Sequence, residues 1–333
     1  MDIRRHPWWH QNRGTLTVSG ILLAVLLFSY FRSPQMTEAV LASTLRQSIP
    51  LILGALCGLM GERSGVINIG IEGQMLMAAF LAFLVNVWTG NLLLAVVTGV
   101  VIGALMGLFL AFLSVTLKVD QIIAGTIINI FAFGLTGYYY QVGLQTKGKL
   151  TSIPLPGLAD LPLLGPVLFN NPPITYLTLL LIFVVQFVLF YTPWGLRSRA
   201  VGEHPRAADT LGINVYLVRY VNVIVGGMLA GLAGAFLTLE AVGTFERLMT
   251  NGRGFVALAV MIFGRWNPIS AWGAALLFGF ATALQTQLQF MAVLHIPHQF
   301  IGMLPYALTI AVLAGLRGRT RPPAAVGTPY EKE

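Results

Sequence analysis

Residues 61–74 read GERSGVINIGIEGQ and lie between two apolar runs, 49–60 and 75–88. The stretch carries Glu62, Arg63, Asn68, Glu72 and Gln74, with glycines at 61, 65, 70 and 73. Glu62 and Arg63 fall at a turn, where charge is cheap. Asn68, Glu72 and Gln74 enter the apolar region and must face protein or a water-filled path, because facing lipid is costly. Glycines loosen a helix, which is tolerated at membrane depth only where backbone is buried or lines a cavity. Two roles stay open for this broken or bent stretch. It lines a path for a hydrogen-bonding solute, or Glu72 pairs inside the bundle and only holds it together. Thr126 and Asn129, with Gln141 nearby, are further polar candidates for such a path. Uncharged hydrogen-bonding groups suit a neutral solute better than an ion.

Other chemistry is excluded more easily. The stretch 143–150, GLQTKGKL, nearly spells a phosphate-binding loop, but Leu150 stands where Ser or Thr should hold Mg²⁺. No strand leads into it and no helix clearly follows, so the chain has no nucleotide site of its own and needs no cofactor. His295 and His298 flank Pro297 in a short loop with no carboxylate or thiol close in sequence, so no metal is expected there. No Ser/His/Asp or Cys/His set appears, and the chain is not expected to be an enzyme. Cys57 is the single cysteine, so no intrachain disulfide can form.

The elements that must position these residues are membrane helices. The 333 residues are 56% hydrophobic and 10% charged, whereas soluble domains run near ~25% charged. Long unbroken apolar runs argue for an all-α polytopic membrane protein and against a barrel with its period-2 alternation. About ten spans are expected, near 15–31, 38–60, 66–88, 92–116, 121–140, 174–192, 221–240, 254–264, 270–291 and 299–316. The stretches 65–73 and 254–264 are expected to be broken or short. Both introduce a short glycine-bearing apolar piece, from opposite faces, which suits an inverted repeat. The net charge of +8 fits an excess of Lys and Arg on cytoplasmic loops, and no nucleic acid is implied. Alternating the spans from a cytoplasmic N-terminus puts fourteen of the 20 Lys and Arg inside, with both termini cytoplasmic. The domains are then a tail 1–14, a transmembrane unit 15–316 and a tail 317–333, with 141–173 extracytoplasmic and 193–220 cytoplasmic. Gly99, Gly103 and Gly107, and Gly227, Ala230, Gly231 and Gly234, form small-residue faces that let helices approach closely within one subunit.

Within residues 202–215, GEHPRAADTLGINV, Arg206–Leu211 read as a short two-turn helix across the cytoplasmic face. Pro205 suits the first turn and Gly212 a left-handed cap. A helix this short is marginal in water and needs a partner surface.

Three motifs, GERSGVINIGIEGQMLMAAF at 61–80, RAVGEHPRAADTLGINV at 199–215 and GFVALAVMIFGRWNPISAWGAALLFG at 254–279, resemble permease subunits of bacterial ABC importers. The resemblance is to the branched-chain amino acid and simple-sugar family, nearest its nucleoside/simple-sugar branch, over roughly 36–316. It implies a chain in the bacterial plasma membrane that forms a translocation path for nucleosides or simple sugars. It further implies two ABC ATPase subunits, a second permease subunit, identical or paralogous, and an extracytoplasmic substrate-binding lipoprotein. The family's ATPase-coupling helix maps onto Glu203, His204, Pro205, Arg206, Ala207, Ala208, Asp209 and Gly212. Many relatives carry Glu-Ala-Ala-x-x-x-Gly there; this chain keeps the small pair and the glycine but shifts the acid to Asp209. Arg46, Arg247 and Arg253 could meet acids on the binding protein by sign complementarity. The rival reading is an ion- or proton-coupled secondary transporter that uses Glu72.

Overall fold

The computed structural model describes residues 30–291, 303, 307 and 321–332. Most of the expected spans 15–31 and 299–316, and the His295/His298 pair, lie outside the described residues.

Among the described residues, eleven helices follow in order: α1 Pro34–Glu62, α2 Ile71–Thr89, α3 Leu92–Ala111, α4 Gln121–Tyr139, α5 Leu164–Leu168, α6 Pro173–Tyr191, α7 Pro193–Glu203, α8 Pro205–Thr210, α9 Val215–Ala235, α10 Arg253–Phe263 and α11 Pro268–Met291. The last turns of α3 and α9 loosen into π-helix, Phe112–Thr116 and Phe236–Val242. Among the described residues, seven helices are long and apolar enough to cross a membrane, and α10 is too short. Eleven residues rise about 16 Å, half of a hydrocarbon core.

The helix starts follow local chemistry. Asp120 caps α4 by accepting from the Ile122 and Ile123 N–H groups, and Asn91 and Asn214 cap α3 and α9. Such caps satisfy donors that a helix cannot satisfy itself. The expected span 221–240 starts earlier, at Val215, behind its Asn214 cap. The stretch 193–220 is not a loop. Thr192 caps α7 through its hydroxyl, Pro193 opens it, and α8 and the start of α9 follow. The stretch 141–173 holds α5 and a two-residue antiparallel pairing, Ile153–Pro154 with Asn170–Asn171.

α9 is the centre of the bundle, and glycine lets three neighbours reach it. A Cβ at Gly103 would lie 2.2 Å from the Gly227 carbonyl oxygen and 2.6 Å from Gly231 Cα, so α3 and α9 touch backbone to backbone. Gly226 meets α1 at the Cys57 carbonyl, and Gly234 meets α2 at the Met75 carbonyl. The small-residue faces are thus packing faces within this chain. The main core then runs along α1, with Ile49, Ile52, Leu53, Leu56 and Leu59 fully buried.

Candidate functional site

The broken stretch is real backbone geometry. α1 ends at Glu62, residues 63–70 form turns and irregular chain, and α2 starts only at Ile71. The expected span 66–88 therefore loses its first turn, while Val66, Asn68, Glu72 and Gln74 are all buried. Irregular backbone at this depth needs donors and acceptors from neighbours, and the polar residues supply them. Asn129 on α4 donates from Nδ2 to the Ile69 carbonyl (3.1 Å), and its Oδ1 accepts from the Gly73 N–H (2.8 Å). Gly73 permits this approach, since a Cβ there would lie 2.8 Å from Asn129 Cα. Asn68 Nδ2 donates to Gln74 Oε1 (3.1 Å) and to Cys57 Sγ (3.3 Å). Gln121 Oε1 accepts from the Ile67 N–H.

Glu72 spans two helix starts. It lies in the first turn of α2, and its carboxylate receives the Gly252 N–H on Oε1 (2.8 Å) and the Gly254 N–H on Oε2 (2.6 Å). Gly252 caps α10 with φ at +79°, a left-handed conformation that glycine adopts without strain. Two helix N-termini, each with a partial positive end and orphan donors, converge on one carboxylate.

The far end of α10 is held in a matching way. Trp266 Nε1 donates to Glu62 Oε2 (2.5 Å), and Arg63 donates from Nε and Nη2 to the Trp266 carbonyl (2.9 and 2.6 Å). Arg265 and Trp266 sit at positive φ, an uncommon state for non-glycine residues that the Arg63 fork stabilises. Burial lowers the Arg63 pKa below its ordinary value, Arg199 adds to this, and Glu203 opposes it. Arg63→Lys removes the fork. It is expected to lower stability by about 1.5–3 kcal/mol, the worth of a charged hydrogen bond, and to lower the midpoint of thermal unfolding of the purified chain.

A cavity of about 1120 Å³ lies between α1, residues 149–152, the π-helical end of α9 and residues 246–253. Arg46, Arg247 and Arg253 all line it, together with Lys149, Glu240 and Glu246. Three residues expected on the outer surface thus share one chamber. Glu240 is tied down by the Ile174 and Thr175 N–H groups and the Thr175 hydroxyl. Lys149 Nζ donates to the Ala241 carbonyl, and the Arg247 guanidinium sits over the Tyr140 ring at 5.2 Å. Pro50, within α1, also lines the chamber and leaves the Arg46 carbonyl without its helical donor.

The path candidates fall elsewhere. Asn68, Glu72, Gln74 and Asn129 are gathered round the broken stretch, and none of them lines this chamber. Glu72 comes near its floor, next to Arg253. Thr126 joins neither group: it is exposed on α4, and its hydroxyl donates to the Ile122 carbonyl of its own helix. Gln47, Lys149 and Glu240 escape the sequence reading. Glu240 carries a signal there all the same, as a lone carboxylate at the end of an apolar run.

At one end of the bundle, α7 ends at Glu203, His204 separates it from α8, and α8 runs from Pro205 to Thr210 as the short helix expected there. Gly212 takes φ +80° as expected of its cap. Leu211, between them, is 81% exposed. Ala208 is buried against Val201, Val215 and Val218, which explains one small residue of the pair.

Comparison with known proteins places this architecture. The family model "Branched-chain amino acid transport system / permease component" matches residues 40–313. The guanosine ABC transporter permease protein NupQ of Bacillus subtilis is 40% identical over 313 residues, covering 90% of this chain and 98% of that one. The nucleoside ABC transporter permease protein NupC of Lactococcus lactis is 37% identical, covering 89% and 97%. A Haloferax volcanii protein assigned provisionally as the glucose ABC transporter permease TsgC13 is 35% identical, covering 88% and 98%. A half-length helix, a broken partner helix and a short surface helix in one polytopic bundle, matched over most of its length, mark this chain as a member of the branched-chain amino acid transport system permease component family.

Proposed function

We propose that the chain is the translocation subunit of an ATP-driven importer for nucleosides or simple sugars, set in the bacterial plasma membrane with both termini cytoplasmic. The observation that carries this reading is the near full-length likeness to two permease proteins named for guanosine and nucleosides. Hydrolysis belongs to partner ATPase subunits, and the chain takes no cofactor of its own. α8 is their seat, and a second permease subunit completes the membrane unit. An extracytoplasmic binding lipoprotein delivers the solute to the chamber rimmed by Arg46 and Arg247. The polar lining of that chamber, Ser43, Gln47, Thr151 and Ser152 among it, offers hydrogen bonds to hydroxyls and base edges. Solute passes when closure of the ATPases shifts α8 and the helices packed on it.

The test is transport by the reconstituted complex. The chain is purified with its partners, placed in liposomes, and given labelled guanosine outside and ATP on the ATPase side. Uptake that needs ATP, survives a protonophore and is inhibited by unlabelled nucleosides supports the reading. Uptake without ATP that collapses with the protonophore overturns it and moves the secondary-transporter reading to its place.

A further inference from the structure

The chain's last described residues, 321–332, return to the bundle as a strap beside α8. The Ala325 N–H donates to the Gly202 carbonyl (2.9 Å), and the Gly327 N–H donates to the Gly65 carbonyl (3.2 Å). Arg219 on α9, 1% exposed, donates from Nη1 to the Thr328 carbonyl (3.0 Å) and from Nε to the Ser64 carbonyl (3.2 Å). Tyr330 is buried against Tyr216, ring centroids 5.5 Å apart, and joins the small core of Val201, Ala208, Val215 and Val218. Lys118 and Glu331 pair at 2.7 Å, and Lys332 lies 3.6 Å from Asp209 on α8. The strap is thus a built part of this end of the bundle. It also shields Arg219, a cation with two backbone carbonyls as its hydrogen-bond partners among the described residues.

Between strap and α8 lies a groove of about 690 Å³. One wall is His204–Ala207 in sequence, the other Thr328–Glu331. Thr328, Pro329 and Glu331 are exposed, while Tyr330 anchors from beneath. α8 alone cannot be a whole docking surface. Six residues span about 9 Å, whereas a specific interface takes roughly 800 Å² and 20–30 residues from each partner. Something contiguous must share the load, and the strap borders α8 along the groove.

We propose that the seat for the ATPase subunit is bipartite: α8 with the exposed Leu211 is one half, and the strap around Pro329 is the other. This rests on α8 being the ATPase seat. A ridge of the ATPase enters the groove, apolar against Pro205, Ala207 and Pro329, with Leu211 as an anchor beside it. The strap's bond to Gly65 then connects that seat to the broken stretch 63–70.

The test measures binding of the purified cognate ATPase to the full chain in nanodiscs. Pro329→Glu places charge on the groove wall without touching the strap's anchors, and Leu211→Ser perturbs α8 alone. A third chain ends after Arg321. Pro329→Glu and the shortened chain are each expected to weaken binding at least tenfold, with the melting temperature of Pro329→Glu unchanged. Wild-type affinity in Pro329→Glu, with weakened binding in Leu211→Ser, overturns the bipartite seat and leaves α8 as the seat. Wild-type affinity in all three overturns both the bipartite seat and the α8 reading. Because the shortened chain can fail to fold, the affinity of Pro329→Glu decides whether the bipartite seat stands, and that of Leu211→Ser whether α8 remains a seat.

Discussion

Glu72→Gln is expected to lower the stability of the purified chain by about 3 kcal/mol and to cut ATP-dependent uptake at least tenfold. The wild-type carboxylate accepts from two N–H groups at the start of α10, one on each oxygen. Glutamine offers one acceptor, so its amide nitrogen faces one of those donors. A hydrogen bond to a charged group is worth about 1.5–3 kcal/mol, and a buried donor left unpaired adds about 1–3 kcal/mol. The charge itself complements two helix N-termini, each worth about 0.3–1 kcal/mol. Losing only some of these gives the figure stated. The measurement is thermal unfolding in detergent beside uptake in liposomes. The pairing of the two readouts decides what Glu72 does. A brace loses both together. A proton carrier loses uptake while the melting temperature holds, because neutral glutamine then mimics one of its working states. An unchanged melting temperature would sink the brace.

Within the fold, side-chain hydrogen bonds hold the polar stretch against its neighbours. Asn129 bonds the Ile69 carbonyl and the Gly73 N–H, Asn68 and Gln74 bond each other, and Glu72 joins α2 to α10. The chamber has other walls, chiefly α1 and the π-helical end of α9. Glu62, Arg63 and Trp266 lock the opposite end of α10. A half-length helix is thus pinned at both ends to one broken stretch. The strap reaches the same stretch through Gly65 and Arg219. Packed and hydrogen-bonded groups thus run from the strap beside α8 through the broken stretch to α10.

Much of this is legible in sequence because apolar runs mark spans directly. The runs behind α3, α4, α6 and α11 match to within a few residues, and the shortness of α10 is visible in its length. The start of α2 is not, because Val66, Ile67 and Ile69 are as apolar as a helix would be. Hydropathy reports burial, and an irregular buried stretch of chain buries as well as a helix does. α7 is hidden for the opposite reason. Its Arg197 and Arg199 look like loop charge, while Thr192 and Pro193 carry the N-cap signal that opens a helix. The three arginines of the chamber are recognisable in sequence as basic but not as neighbours. Arg46 and Arg247 are brought together by the packing of α1 beside the end of α9, and no local pattern encodes that. The strap looks in sequence like a short polar tail; its hold depends on Tyr216 and Arg219, two side chains far away along the chain.

Substitutions at two classes of helical glycine should separate by sign, and Gly103→Val should be among the most damaging single changes in the chain. A Cβ at Gly103 would meet the Gly227 carbonyl oxygen at 2.2 Å and the Gly231 Cα and N at 2.6 and 2.7 Å. All three are backbone atoms, so no side chain can swing aside, and α3 and α9 must separate by about an ångström along their shared face. Overpacking commonly costs about 1–3 kcal/mol and can cost more. Here the cost is raised because α9 also packs backbone to backbone on α1 and α2, at Gly226 and Gly234. Moving α9 off α3 drives it into them. The expected result is a loss of at least roughly 3 kcal/mol, seen as loss of folded protein on size exclusion after detergent extraction. Gly134 on α4 has open space where its Cβ would sit. Gly134→Ala should therefore gain about 0.5–1 kcal/mol, since alanine loses less entropy than glycine in a helix. Its melting temperature would rise while that of Gly103→Val falls. A wild-type melting temperature for Gly103→Val would refute the close contact of α3 and α9. A loss at Gly134 would mean that α4 packs against a second chain, the place where a partner permease subunit would meet it.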